Sequence, residues 1–111
     1  PDKLFIIITQ PPLVPDHTTA ENAARARALT DWLVSEGFQG GAPTLTVFDF
    51  FDLLADENNV LRAEYRWSDE DSHPNDVANR TIGPIFVDFV IESIERYKAA
   101  SSRVGRLITI N

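Results

Sequence analysis

The chain has no cysteine. That excludes disulfides, thiolate chemistry and cysteine-ligated zinc, and leaves the compartment open. Basic residues are scarce as well: 10 Lys and Arg against 17 Asp and Glu give a formal net charge of −7. Binding to a nucleic-acid backbone rests on clustered Lys and Arg, so no nucleic-acid partner is expected. The arginines here are scattered, and Arg25 and Arg27 sit among alanines and acids. No apolar run approaches the roughly 18 residues that mark a membrane-spanning helix. No stretch of these 111 residues reads as a signal peptide, an internal repeat or a low-complexity linker, and any targeting segment is expected upstream of Pro1. The sequence begins at Pro1 and enters an apolar run almost at once, so it reads as a piece of something longer.

What is present fits one small domain. The 111 residues, 43% of them apolar, can bury a core, although a domain of this size leaves about a third or more of its unfolded surface exposed. Leu4-Phe5-Ile6-Ile7-Ile8-Thr9 is continuous, β-branched and aromatic, the pattern of a strand buried on both faces of a parallel sheet. Pro11, Pro12 and Pro15 then forbid a helix. Thr18 with Glu21 three residues on reads as a capping box. It opens a helix from Thr19 to Glu36 with Gly37 placed to stop it. Ala26, Leu29, Trp32 and Leu33 form its expected apolar stripe.

Thr44 to Phe50 is the second strand, and strand, helix, strand at this spacing predicts a parallel βαβ unit. Phe51 to Ala55 is expected as a short helical turn capped by a nearby aspartate. Glu57 to Asp71 reads as polar and irregular. Asn75 is the predicted N-cap of a last helix whose apolar positions run from Ala78 to Ile94, through to about Tyr97. Gly83-Pro84 inside that pattern predicts a kink or break. The tail from Arg103 to Asn111 reads as an edge strand or as disordered.

The chemistry concentrates in Asp69-Glu70-Asp71-Ser72-His73-Pro74-Asn75, just ahead of the last helix. A loop histidine with acids before it and a proline fixing its exit suits a general base. Imidazole titrates near neutrality, and a neighbouring carboxylate holds its tautomer and stabilises the imidazolium. Asp, Ser, Pro and Asn are also ordinary turn and cap residues, which is the competing reading. Asp49, Asp52 and Asp56 invite a hard-cation reading, but capping and solvation explain them more simply. No metal is expected. Thr9 and Gln10 stand at the carboxyl end of a strand, where open α/β sheets bind ligands. Tyr65, Arg66 and Trp67 read as a substrate rim or as core cover, and His17 as an exposed turn residue facing the same strand ends.

Asp71-Ser72-His73-Pro74-Asn75, with Ala78-Asn79 and the Ile85-Phe86-Val87-Asp88-Phe89 helix, resembles the last sequence block of the SGNH (GDSL-type) hydrolases, where an Asp-x-x-His pattern precedes the C-terminal helix. The strand ending Thr9-Gln10-Pro11-Pro12, the helix ending Asp31-Trp32-Leu33, and Val47-Phe48-Asp49-Phe50-Phe51-Asp52 occur in the family's order. The resemblance covers about residues 3–98. It departs from the family in two ways. Glu70, not aspartate, stands three before His73 and Asp71 two before it, so the orienting acid is open between them, with Asp71 the first choice, Glu70 next and a solvated Asp69 third. The family's Gly-Asp-Ser block, and the Gly and Asn that complete its oxyanion hole, have no counterpart. Losing one oxyanion donor typically costs about 100- to 1,000-fold in turnover, so this chain alone is expected to be a very poor hydrolase. Ser68 and Ser72 lie near His73, but no Gly-rich elbow presents them.

The resemblance implies a flavodoxin-like three-layer α/β/α fold. This chain would be its C-terminal portion, with about two parallel strands plus helices, and a complementary N-terminal segment or self-association would complete the sheet. It implies an ester hydrolase acting on carbohydrate or small-alcohol O-acyl esters. His73 would be the base, Asp71 or Glu70 its acid, and Thr9, Gln10 and Trp67 would bind substrate. No metal or organic cofactor is needed for that cycle. The rival expectations are a non-catalytic SGNH-like binding or structural module, and an α/β interaction subunit.

Overall fold

Two short strands form the sheet. In the computed structural model β1 (Phe5–Ile8) and β2 (Leu45–Phe48) pair in parallel, with Phe5 opposite Leu45 and Ile8 opposite Phe48. The ladder continues past each end, since the Phe5 N–H donates to the Thr44 carbonyl and the Thr9 N–H to the Phe48 carbonyl. Backbone is described for residues 2–110 and side chains for residues 2–103. The crossover holds α1 (Ala20–Val34) and α2 (Glu36–Gln39), and β2 leads into α3 (Phe50–Leu54) and finally α4 (Asp76–Ile110). Single 3-10 turns lie at Pro15–His17 and Ala63–Tyr65. The chain is a mixed α/β unit.

Capping decides where α1 starts. Thr19, not Thr18, accepts the Asn22 N–H at 3.1 Å. Thr18 is extended and closes the preceding 3-10 turn, so its hydroxyl is one residue too early to cap. Glu21 is free of the expected capping box and pairs with Arg25 one turn on. α1 stops at Val34 because Ser35 turns extended, with φ −75° and ψ 155°, and bonds back to the Trp32 carbonyl. Gly37 therefore lies inside α2, and the stop falls to Gly40 at φ 61°, a left-handed conformation that glycine adopts without penalty.

The buried face of α1 is made of small residues, Ala23 and Thr30, with Ala26 and Leu33 half-buried. These let the helix approach β2 closely. The expected stripe is thereby corrected: Leu29 and Trp32 face outward, and the Trp32 ring rests on Phe38 at 4.7 Å.

The core gathers Val14, Phe48, Leu54, Leu61, Ala78 and Ile82, with Phe86 and Phe89 packed against it. Phe48 is its hub, meeting Phe86 edge-on at 5.0 Å and Phe89 at 5.1 Å, geometries that suit the ring quadrupole. β1 differs from expectation. Instead of being buried on both faces, its Phe5 and Ile8 are exposed, because α1, α2 and α4 pack on β2.

α4 runs unbroken through Gly83-Pro84, so of the kink or break expected there the break does not occur. Gly83 has no Cβ to clash with the proline ring, and Pro84 is exposed, so the carbonyl it leaves unpaired faces water. The helix continues to Ile110, where an edge strand or disorder was expected, and Asn111 lies outside the described residues. Among the described residues no helix is long and apolar enough to cross a membrane.

Candidate active site

The His73 loop is fastened by its neighbours. Residues Arg66 and Pro74 form an isolated antiparallel bridge, which sets the backbone of Trp67 opposite that of His73. Asn75 is the staple. Its Oδ1 accepts the Ala78 N–H at 3.0 Å and caps α4, while Nδ2 donates to the Glu64 and Arg66 carbonyls at 3.0 and 2.9 Å. Its own N–H donates to the Tyr65 carbonyl. One amide thus joins the last helix to the segment before the loop, and Asn75 is buried accordingly. Arg66 adds a bond from Nε to the Leu61 carbonyl at 2.8 Å.

Within that frame Asp71 turns toward His73. Its Oδ1 accepts the His73 N–H at 2.9 Å and stands 2.7 Å from the ring Nδ1. The backbone bond first, and the ring bond second, hold the Asp71 carboxyl below its ordinary range; nearby His17 adds a smaller pull in the same direction. A carboxylate on Nδ1 fixes the tautomer in which Nε2 is the free nitrogen. The His73 side chain is 90% exposed, so that nitrogen is open to a reactant. Glu70, the other candidate acid, is exposed and makes no side-chain hydrogen bond or ion pair among the described residues.

Ser72 ties this loop to the one that follows β1. Its Oγ accepts the Val14 N–H at 3.0 Å and lies 3.1 Å from His17 Nδ1. The Ser72 hydroxyl therefore faces His17 rather than His73. Ser68 Oγ likewise accepts the Glu70 N–H. The loop that leaves the carboxyl end of β1 and the His73 loop meet at this serine.

The remaining sequence candidates divide. Thr9 is corrected from ligand contact to strut: it is 2% exposed, its hydroxyl donates to Asp49 Oδ1 at 3.3 Å, and its Oγ1 accepts the Phe51 N–H at 2.9 Å. Both functions of the hydroxyl are spent on joining the two strand ends. Gln10 is exposed and lines a cleft beside the Pro-rich loop. Trp67 is 58% exposed and stands next to His73 through the bridge. An apolar recess of about 200 Å³ lies at the strand tips between Ile8, Phe48, Phe50 and the first turns of α4.

Asp49 accepts the Asp52 N–H and caps α3, Asp52 pairs with Arg27, and Asp56 accepts the Asn58 and Val60 N–H groups. No group of three or more potential ligands is placed to hold a metal among the described residues.

Sequence reasoning gave Asn75 only a capping role. Its spacing to the Ala63–Tyr65 turn, which no local pattern encodes, makes it the fastener of the site. Compared with protein-family models, with curated proteins and with solved structures, the chain matches none.

Proposed function

We propose that this chain supplies the general base and its orienting acid to a serine ester hydrolase of the SGNH type. The two parallel strands and their helices would be part of a flavodoxin-like three-layer α/β/α domain. One observation carries the reading: Asp71 Oδ1 sits 2.7 Å from Nδ1 of an imidazole whose ring is otherwise open to solvent. A carboxylate on one ring nitrogen with the other left free is the arrangement a general base uses. The resemblance of the Asp71-Ser72-His73-Pro74-Asn75 block supports the same reading.

In this cycle Nε2 of His73 removes the proton from a serine hydroxyl as the oxygen attacks the ester carbonyl. The imidazolium, steadied by Asp71, then protonates the departing alcohol. Water repeats the two steps on the acyl-serine and releases the acid. The serine and the oxyanion donors lie outside these 111 residues. The apolar recess at the strand tips suits a short acyl chain, and the alcohol would be a carbohydrate or another small alcohol. No cofactor takes part in that sequence of bonds.

The test is covalent. In the intact gene product a fluorophosphonate should label one serine, and His73→Ala should abolish labelling while leaving the circular dichroism unchanged. Asp71→Asn should lower turnover by up to about 10,000-fold, the scale of losing the orienting acid, with Glu70→Gln nearly silent. If no serine is labelled, the second reading takes over: a non-catalytic SGNH-like module or an interaction subunit. The absence of any Gly-Asp-Ser block in this chain favours that alternative.

A further inference from the structure

Beside the loop that follows β1, a cleft of about 450 Å³ runs between the Pro-rich segment, the first turns of α1 and the turn at Asn59. Its volume falls in the range of small-molecule sites. Its lining is unusual for this chain. About a quarter of the sequence is charged, 24%, yet no Asp, Glu, Lys or Arg lines the cleft. The polar groups are Gln10, His17, Thr18, Asn22 and Asn59, set against proline, leucine, alanine and Phe51.

The hydrogen bonds already made fix what those groups have left to offer. Asn22 Oδ1 accepts from Arg25 and Asn59 Oδ1 accepts from Arg27 at 2.9 Å, so each amide keeps its NH₂. Ser72 Oγ accepts the Val14 N–H and lies 3.1 Å from His17 Nδ1, so Nε2 is the ring nitrogen left to the cleft. Two unspent amide NH₂ groups therefore belong to the cleft, with an imidazole nitrogen beside them. Asn59 is held there at φ 64°, the one non-glycine residue with positive φ among the described residues. Asparagine tolerates that conformation better than most residues. Arg27 braces it from behind, bound to Asp52 and lying over the Phe51 ring at 4.9 Å.

We infer that this cleft binds an uncharged, acceptor-rich ligand of the sugar type. Hydroxyl and acetyl oxygens satisfy the amide N–H groups, a hydroxyl can pair with the imidazole nitrogen or with Gln10, and the proline and leucine walls suit the apolar face of a pyranose. A phosphate or carboxylate finds no cation in the lining. A peptide would bring N–H groups of its own to a donor-rich wall. The cleft stands on its own lining, independent of the hydrolase reading. Where that reading holds, His17 and Ser72 link the cleft to the His73 loop, and the sugar would be the alcohol half of the ester.

The test reads binding, not turnover, so its outcome is separate from that of serine labelling. The 111-residue chain is titrated with N-acetylglucosamine while the side-chain amide signals of Asn22 and Asn59 are followed by NMR. Saturable shifts at those amides are expected, with glucuronate and a neutral tripeptide amide at least tenfold weaker. Asn22→Asp swaps donors for an acceptor at an exposed first-turn position where a carboxylate suits the helix. Asn59→Gly removes the amide yet keeps the positive φ. Each variant should weaken binding at least tenfold. Absence of saturation, equal binding of glucuronate, tighter binding of the peptide, or unchanged binding by both variants overturns the inference.

Discussion

Of the two strands, β2 is sealed and β1 is not. Thr46, Val47 and Phe48 lie buried beneath α1, α2 and α4, whereas Phe5 and Ile8 of β1 remain 61% and 52% exposed. The sequences of the two strands do not explain the contrast, since β1 is the more continuously apolar. Position explains it: the helices that follow each strand fold back over β2, and β1 keeps an uncovered edge. Full burial of a side chain such as Phe or Ile is worth about 1.5–3 kcal/mol, so β1 leaves a good part of its stabilising capacity unused. The lesson is that apolar content marks a strand, while the order of its neighbours sets how much of that content is buried.

The sharpest way to break this comparison is to delete volume on each side of it. Phe48→Ala, at a buried site on β2, should destabilise the chain by about 3–5 kcal/mol in urea unfolding. Phe5→Ala on β1 should cost under about 1 kcal/mol. Equal losses would mean that β1 is covered in solution. Next comes Thr9, which spans the two strand ends. Thr9→Ala strands the buried Phe51 N–H and should cost about 1–3 kcal/mol, with Thr9→Ser restoring most of it.

Asn75→Ala removes the cap of α4 and the staple to Glu64 and Arg66, at about 0.5–2 kcal/mol for the cap alone. It should also broaden the His73 ring signals by NMR, which Thr9→Ala should leave sharp. The smallest effect concerns Asp71. Its carboxyl titrates below the ordinary carboxylate range, so its contribution to folding is present above that range and is lost as pH falls through the lowered value. His73→Ala should move the Asp71 midpoint only part of the way back, because the residue-73 backbone N–H remains as the larger cause. A full return would place the ring, not the backbone, in charge.

The parallel pair, the α3 turn capped by Asp49 and the Asn75 cap were legible because each rests on local chemistry: β-branching, a carboxylate one turn before an amide, a side-chain amide before a helix. The registers that depend on choice between like neighbours were not. Thr18 and Thr19 are chemically the same, and only the preceding 3-10 turn decides between them. Leu29 and Trp32 look like core on a helical wheel, but tight packing on β2 selects the small side chains Ala23 and Thr30. Pro84 failed to break α4 because its predecessor is glycine. At the site, His73 and its acids were readable, with Asp71 the first choice, but the bond from Asp71 to the His73 backbone N–H that sets the pair was not. Ser72 and His17 meet across 55 positions of sequence, a distance no spacing rule reaches.

The division of labour in the His73 loop bears on what can be substituted there. Asn75 does the fastening from within the protein, and the imidazole two residues earlier hangs outside, owing nothing to the core and lending nothing to it. A variant with another polar side chain at position 73 would keep the same shape, so the ring can be exchanged without disturbing the frame that presents it.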